Sequence, residues 1–323
     1  MSGINYNKTN ESTRSRRVGW HSSPYARDFT QVTRRDVAGL SRKYYHELYD
    51  GKYYKTTMGI GFEVEKLESP YEYQEFPLFK GYETDSSLEN SPNADRPVEA
   101  ITNILPLVPN SNLKNKVMDM MVEASEVLDL PIDRVCGGHI TLSAKGYTGV
   151  ELKAALRPFS GLIYAVYKGR LRNSYANADI FLNRTNRSTR GVLYAKSECA
   201  EFRLPSAVPS TNAMQRRYSL FFELMDFAVN KPTARLSSFL EKCRPILMRM
   251  YSHNHDKVEE VMQLARGFQV FINRGLVSRA IRACLPDIES RGAAGVVWVD
   301  YSDNHIGWPT NAQGNRMPIR LIS

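Results

Sequence analysis

Over 58–67 (MGIGFEVEKL) Phe62 and Val64 fall on one side, Glu63 and Glu65 on the other. That period of two predicts a strand with two unlike faces. A different period governs Leu113, Val117, Met120, Met121, Ala124, Val127 and Leu128, whose steps of three and four predict an amphipathic helix over 112–129. Between them, 68–97 is rich in Pro, Ser, Asn and Asp and reads as a long loop, while 98–107 reads as a strand entering a turn at Pro106. Downstream, 136–142 (CGGHITL) is a glycine turn feeding a strand, and 148–167 a helix bent near Pro158. One or two strands over 191–204 stop at Pro205, and Asn212 is expected to cap a helix carrying Met214, Tyr218, Phe221, Phe222 and Met225. Helical patterns continue over 233–251, 256–273 and 276–285, and a last strand is expected at 294–299. Upstream, 36–54 carries five tyrosines and a short helical pattern ending near Gly51, behind a polar segment of about 20 residues that reads as a mobile tail. Strands separated by helices and long loops, without regular βαβ alternation, predict an α+β fold built on a mainly antiparallel sheet.

Composition adds little to that picture. Hydrophobic residues at 42% and charged residues at 24% are ordinary for a globular chain of 323 residues. No apolar run approaches the roughly 18 residues that cross a bilayer, and the polar N-terminus lacks a signal peptide's apolar segment. The expectation is a soluble, cytoplasmic protein without a membrane partner. Cys136, Cys199, Cys243 and Cys284 are far apart, fit neither a zinc ribbon nor a disulfide framework, and are expected to be free thiols.

Charge changes the picture more. The total is +9, but residues 1–57 hold 11 Lys/Arg against 5 Asp/Glu, 58–112 hold 3 against 10, and 163–220 hold 10 against 3. An acidic block followed by a basic one suits a site with metal ions on one side and phosphates on the other. A basic chain also binds nucleic acid without any such site, and charge alone does not separate the two.

Glu63 and Glu65, at i and i+2 of a strand, lie about 6–7 Å apart at the backbone and can share a hard cation. The same alternation describes a solvated outer face. Asp85 and Glu99 add carboxylates within 36 residues of Glu63, across the long loop. His139 lies in the strand after Gly137-Gly138, on the face of Thr141 and Ser143: a site wall, or a structural hydrogen-bonder. Glu201 and Arg203 share a strand face, so they can pair with each other, or Arg203 can grip a phosphate or carboxylate. Arg170, Arg172 and Tyr175 in GRLRNSY are donors of the kind that clamp phosphates, or a basic loop. A P-loop, a dinucleotide glycine fingerprint and a nucleophile elbow are all missing from the sequence.

The ordered series GFEVE at 61–65, TDSSLE at 84–89, PVEAITNILPL at 97–107, CGGHI at 136–140, RLRNSYA at 170–176 and AEFRLPSAV at 200–208 resembles the amidoligases of the glutamine synthetase and glutamate–cysteine ligase superfamily, of which phage-encoded members are known. The likeness spans roughly 58–228. It departs from the family pattern at Thr141, where a second histidine is common, at the Asp85-Ser86-Ser87 turn, and at Ala100 and Asn103. The resemblance implies a curved sheet of glutamine-synthetase type whose concave face binds Mg²⁺ and ATP. It implies a ligase joining a carboxylate to an amine through an acyl phosphate, in the host cytoplasm if phage-encoded. Glu63, Glu65, Glu99 and Asp85 would then hold Mg²⁺. Arg170, Arg172, Tyr175 and Arg203 would bind the nucleotide or transferring phosphoryl group, while Glu65, His139, Glu201 and Arg203 would act in catalysis. On this reading 58–228 is the catalytic core, 1–57 a basic arm with a short helix, and 229–323 a mainly helical part of the same domain. The substrates, a peptide, an amino acid or a modified nucleobase, have no motif to identify them. Two expectations compete: an inactive nucleic-acid-binding or virion-associated protein with the same fold, in which Arg14, Arg16, Arg17 and the tyrosines of 44–54 contact nucleic acid, and a metal-dependent hydrolase using the same carboxylates.

Overall fold

The alternation of 58–67 becomes the central strand of the sheet, β3 (Met58–Lys66), in a computed structural model. The structure describes residues 46–49, 52–55, 58–68, 76–83, 88, 91, 93–95, 97–133, 136–171, 191–196 and 199–274. One edge of β3 pairs along its C-terminal half with β5 (Val98–Thr102) and at Gly59 and Ile60 with the short β6 (Leu105–Pro106). Its other edge pairs with β7 (Ile140–Ala144). With β4 (Phe79–Glu83), β8 (Leu193–Ala195) and β9 (Ala200–Phe202), the order is β4-β5-β3-β7-β9-β8, with every pairing antiparallel.

Cross-strand register sorts the side chains. Ile60 stands opposite Leu142, Phe62 opposite Ile140, Val64 opposite Ala100, and Ile140 and Leu142 in turn opposite Phe202 and Ala200. These residues form one continuous apolar face, fully buried. Helices cover it because their own apolar stripes have nowhere else to go; each Phe, Leu or Ile sealed there contributes about 1.5–3 kcal/mol. α1 (Asn112–Glu123) is capped by Ser111 Oγ, which accepts from Lys114 N at 3.2 Å; it breaks at Ala124 and resumes as α2 (Ser125–Leu128). The 148–167 pattern resolves into α3 (Gly149–Leu156), a 3-10 turn containing Pro158, and α4 (Gly161–Val166). α3 starts in a reciprocal box in which Thr148 and Glu151 satisfy each other's backbone donors. α5 (Thr211–Met225) lays Phe221 edge-on against Phe202 at 5.5 Å and continues into a π turn, Asp226–Asn230. α6 (Leu236–Met250) and α7 (His255–Arg274) complete the layer; Phe159, Phe227 and Phe239 join the turns with ring centres 5.2–5.7 Å apart.

Four expectations are corrected. The helical pattern of 36–54 gives way, in its described part, to paired strands β1 (His46–Tyr49) and β2 (Lys52–Lys55). Tyrosine-rich runs flanking an Asp-Gly dipeptide carry the chemistry of a hairpin. The long loop of 68–97 contains β4, whose pairing with β5 is irregular between Phe79 and Gly81. Pro106 lies in a strand rather than a turn: it stands opposite Gly59 in a two-residue edge pairing, where a missing N–H is tolerated. The cap of α5 is Ser210, whose Oγ accepts from Ala213 N at 3.3 Å; Asn212 is already inside the helix. The expected helix at 276–285 and strand at 294–299 lie outside the described residues, as do residues 1–45. Among the described residues no helix is long and apolar enough to cross a membrane.

Candidate functional site

The register that builds the apolar face builds its opposite. Glu65 stands opposite Glu99, Gly61 opposite Thr141, and Thr141 opposite Glu201. Glu63 lies between Gly61 and Glu65 on the same face, and Arg203 is two residues beyond Glu201. His139 precedes β7 by one residue, and its carbonyl accepts from Glu63 N at 3.0 Å, extending the ladder to the site. Antiparallel pairing alone therefore puts Glu63, Glu65, Glu99, His139, Thr141, Glu201 and Arg203 on one face.

The face is polar yet shielded: Glu63, Glu99 and Glu201 are each 1% exposed and Glu65 5%. Buried carboxylates need compensation. Glu63 Oε2 lies 2.5 Å from His139 Nδ1, and Glu65 Oε2 accepts from Gly137 N at 2.5 Å. Glu201 holds two cations, accepting from Arg203 Nε at 2.8 Å on one oxygen and from Lys196 Nζ on the other. Arg170 Nη1 donates to the Cys136 carbonyl at 3.0 Å. A Cβ placed on Gly137 would stand 3.0 Å from Glu65 Oε1 and 3.5 Å from Arg170 Nη2, so the acid and the guanidinium flank the same bare backbone. Burial pushes the adjacent Cys136 thiol up to about 12, which leaves it protonated and unreactive near neutrality.

Behind this face two fully buried cations fix the backbone that carries it. Lys66, the last residue of β3 on the apolar side, donates to the carbonyls of Leu128, Leu130 and Val208 at 2.6–2.8 Å. Burial lowers its pKa to about 7, while three carbonyl acceptors match the three donors of the ammonium form. Arg217 of α5 donates from Nη1 to the Ser206 carbonyl at 2.6 Å and from Nη2 to Ser206 Oγ and the Ala207 carbonyl at 3.1 and 2.8 Å. Gly138 lies against the Ser206 carbonyl, where an added Cβ would approach to 2.2 Å. Only glycine permits the approach.

The donor set fits Mg²⁺ in kind, all hard carboxylate oxygen. Among the described residues no three His, Cys, Asp or Glu side chains converge as a ready cage for a metal ion. Mg²⁺ does not require one, because it is held by one or two carboxylates with water and phosphate oxygens completing the shell.

Of the residues singled out from sequence, Glu63, Glu65, Glu99, His139, Glu201 and Arg203 share the face, and Arg170 sits beside Glu65 at the Gly137 turn. Glu201 and Arg203 pair with each other, one of the two arrangements open to them. Asp85, Arg172 and Tyr175 lie outside the described residues. Lys66, Arg217 and Lys196 escaped sequence reasoning. Lys196 alone left a signal, being two residues beyond Tyr194, which stands opposite Glu201.

No family model matches the chain and no curated protein matches it. A solved structure of GmaS, described as apo and without ligand, is similar over 89% of this chain and 78% of that one, at 12% identity and a TM-score of 0.28. That likeness is too slight to assign this chain to a fold.

Proposed function

We propose that the chain is an Mg²⁺- and ATP-dependent ligase that joins a carboxylate to an amine, on a sheet of glutamine-synthetase type. The observation that carries the reading is the gathering of four buried carboxylates and the cations Lys196 and Arg203 on one face of one sheet. A sheet kept for stability alone gains nothing from this arrangement, since buried ion pairs seldom exceed well-packed apolar residues in stabilisation.

Glu65 and Glu99, side by side across β3 and β5, are the residues that would hold Mg²⁺, with Glu63 and Asp85 as further donors. The ion, when bound, supplies charge neutralisation at phosphate oxygens. Arg170, at the Glu65 end, and Arg203, at the other, orient and neutralise the anionic groups of the reactants, with Arg172 and Tyr175 as further phosphate donors. Amide formation of this class asks the protein for positioning and charge more than for covalent chemistry. Glu63, bonded to His139 Nδ1, fixes the ring so that Nε2 is the atom presented to a reacting group. The carboxylate and amine substrates are a peptide, an amino acid or a modified nucleobase.

Titration of the protein with Mg²⁺–ATP in a calorimeter tests the reading: saturable heat is expected, together with ADP release that rises when an amine and a carboxylate are supplied together. Wild-type protein that binds no Mg²⁺–ATP ends it. Salt-sensitive nucleic-acid binding without nucleotide turnover would point to a binding protein instead.

A further inference from the structure

We infer that Lys66 is a positioning residue for Glu65 and the Gly137–His139 turn: these two neighbours at the end of β3 grip one closed ring of backbone from opposite sides. The inference deepens the ligase reading and rests on it only for the metal. On the apolar side Lys66 Nζ donates to three carbonyls at 2.6–2.8 Å, those of Leu128 and Leu130 at the end of α2 and that of Val208 before α5. On the polar side Glu65 Oε2 accepts from Gly137 N at 2.5 Å. The two grips meet through the chain between them. Gly137 is bridged to Ser206, and Gly138 N donates to the Pro205 carbonyl at 3.2 Å, so the turn beside Glu65 rests on the segment that Lys66 holds. Arg217 fills the interval by holding the carbonyls of Ser206 and Ala207. The ring therefore runs from Glu65 through Lys66, Val208, Ser206 and Gly137 back to the Glu65 carboxylate.

A methionine at 66 would fill much the same space without the cost of burying an amine. What the amine adds is direction. Its bonds reach two separate segments and fix where each stands relative to β3, whereas apolar contacts are non-directional. The 128–131 side is secured independently and serves as the anchor: Leu67 N donates to the Pro131 carbonyl at 3.0 Å, and Asp129 Oδ1 accepts from Thr211 N at 2.8 Å. The consequence falls on Glu65, because a carboxylate that ligates a metal is oriented by the hydrogen bond made to it from the protein side. Gly137 N makes that bond, and Lys66 holds the backbone on which Gly137 rests.

Hydrogen exchange of the metal-free protein, read by mass spectrometry, tests the ring. Lys66→Met is compared with Phe239→Leu, which disturbs the aromatic cluster of α6 instead, at denaturant concentrations that give the two variants equal global stability. The segment 136–139 should exchange about tenfold faster in Lys66→Met than in Phe239→Leu, the change expected for losing about one buried hydrogen bond. Mn²⁺ alone, followed by the electron paramagnetic resonance of the free ion, should bind Lys66→Met about tenfold more weakly than Phe239→Leu. A lysine that serves stability alone leaves the two variants alike in exchange, and that result overturns the inference. So does equal Mn²⁺ affinity in the two variants when the wild type binds the ion. If Lys66→Met does not fold, Glu65→Met reads the ring from its other end: exchange over 206–208 should rise above that of Phe239→Leu, and no rise overturns the inference. Wild-type protein that binds no Mn²⁺ speaks against the metal end proposed above, and exchange then decides the ring by itself.

Discussion

Phe62 and Glu63 are neighbours in β3 and equally hidden, 0% and 1% exposed, yet they belong to two regions that obey opposite rules. On the side of Phe62 the buried side chains are almost all apolar, and their burial is itself the stabilisation. On the side of Glu63 burial is a cost, offset residue by residue through His139, Gly137, Lys196 and Arg203. Low exposure therefore says nothing about stability until the chemistry of the buried group is known. The apolar face even has its own exception in Lys66, tolerated there because three carbonyls meet it.

The sharpest way to break the contrast is to change one residue on each side. Glu65→Gln is expected to abolish Mg²⁺-dependent ADP release while shifting the unfolding midpoint little. Phe62→Ala should do the reverse, costing about 3–5 kcal/mol in urea unfolding. If Glu65→Gln keeps full turnover, the polar face is scaffold. Arg217→Met should cost about 2–4 kcal/mol, since it removes the guanidinium donors from the buried Ser206 and Ala207 carbonyls; a neutral result would mean that water or a rearranged loop replaces the guanidinium.

Lys66 offers a finer test through pH. Its folded-state pKa, about 7, is lowered from the usual 10.5 by burial, so between those values the unfolded chain keeps a proton that the folded chain has released. Stability should therefore rise with pH across that window, by up to about 1.4 kcal/mol per unit from this residue, with its penalty fully present below pH 7. Denaturant unfolding at pH 6, 8 and 9.5 reads the slope, which Lys66→Met should flatten. Smallest of all, Ser210→Ala should cost about 1 kcal/mol and Asn212→Ala much less, which places the cap of α5 by measurement.

Sequence reasoning reached most of what periodicity encodes. The two faces of β3 and the helical character of 112–129 follow from spacing and the bend near Pro158 from the proline itself, whereas the break at Ala124 does not. It failed where local chemistry is ambiguous. Strand β4 is short and carries Gly81, so it looked like loop, and the tyrosines of 44–54 fit a helical spacing until paired. The carboxylates were visible because they alternate with apolar residues inside one strand. Their convergence with His139 and Arg203 depends on register between strands distant in sequence, which no single segment contains. Lys66 and Arg217 look like ordinary surface cations in sequence; only the packing of distant carbonyls around them reveals otherwise.

The contact between Gly138 and the Ser206 carbonyl gives His139 a fixed stop. A side chain packing on a side chain can be loosened or tightened by degrees through substitution, but here backbone meets backbone, with Arg217 bonded to the same oxygen. The imidazole's height above the sheet thus has two settings, glycine or displaced, and drift at the neighbouring positions has no means of adjusting it.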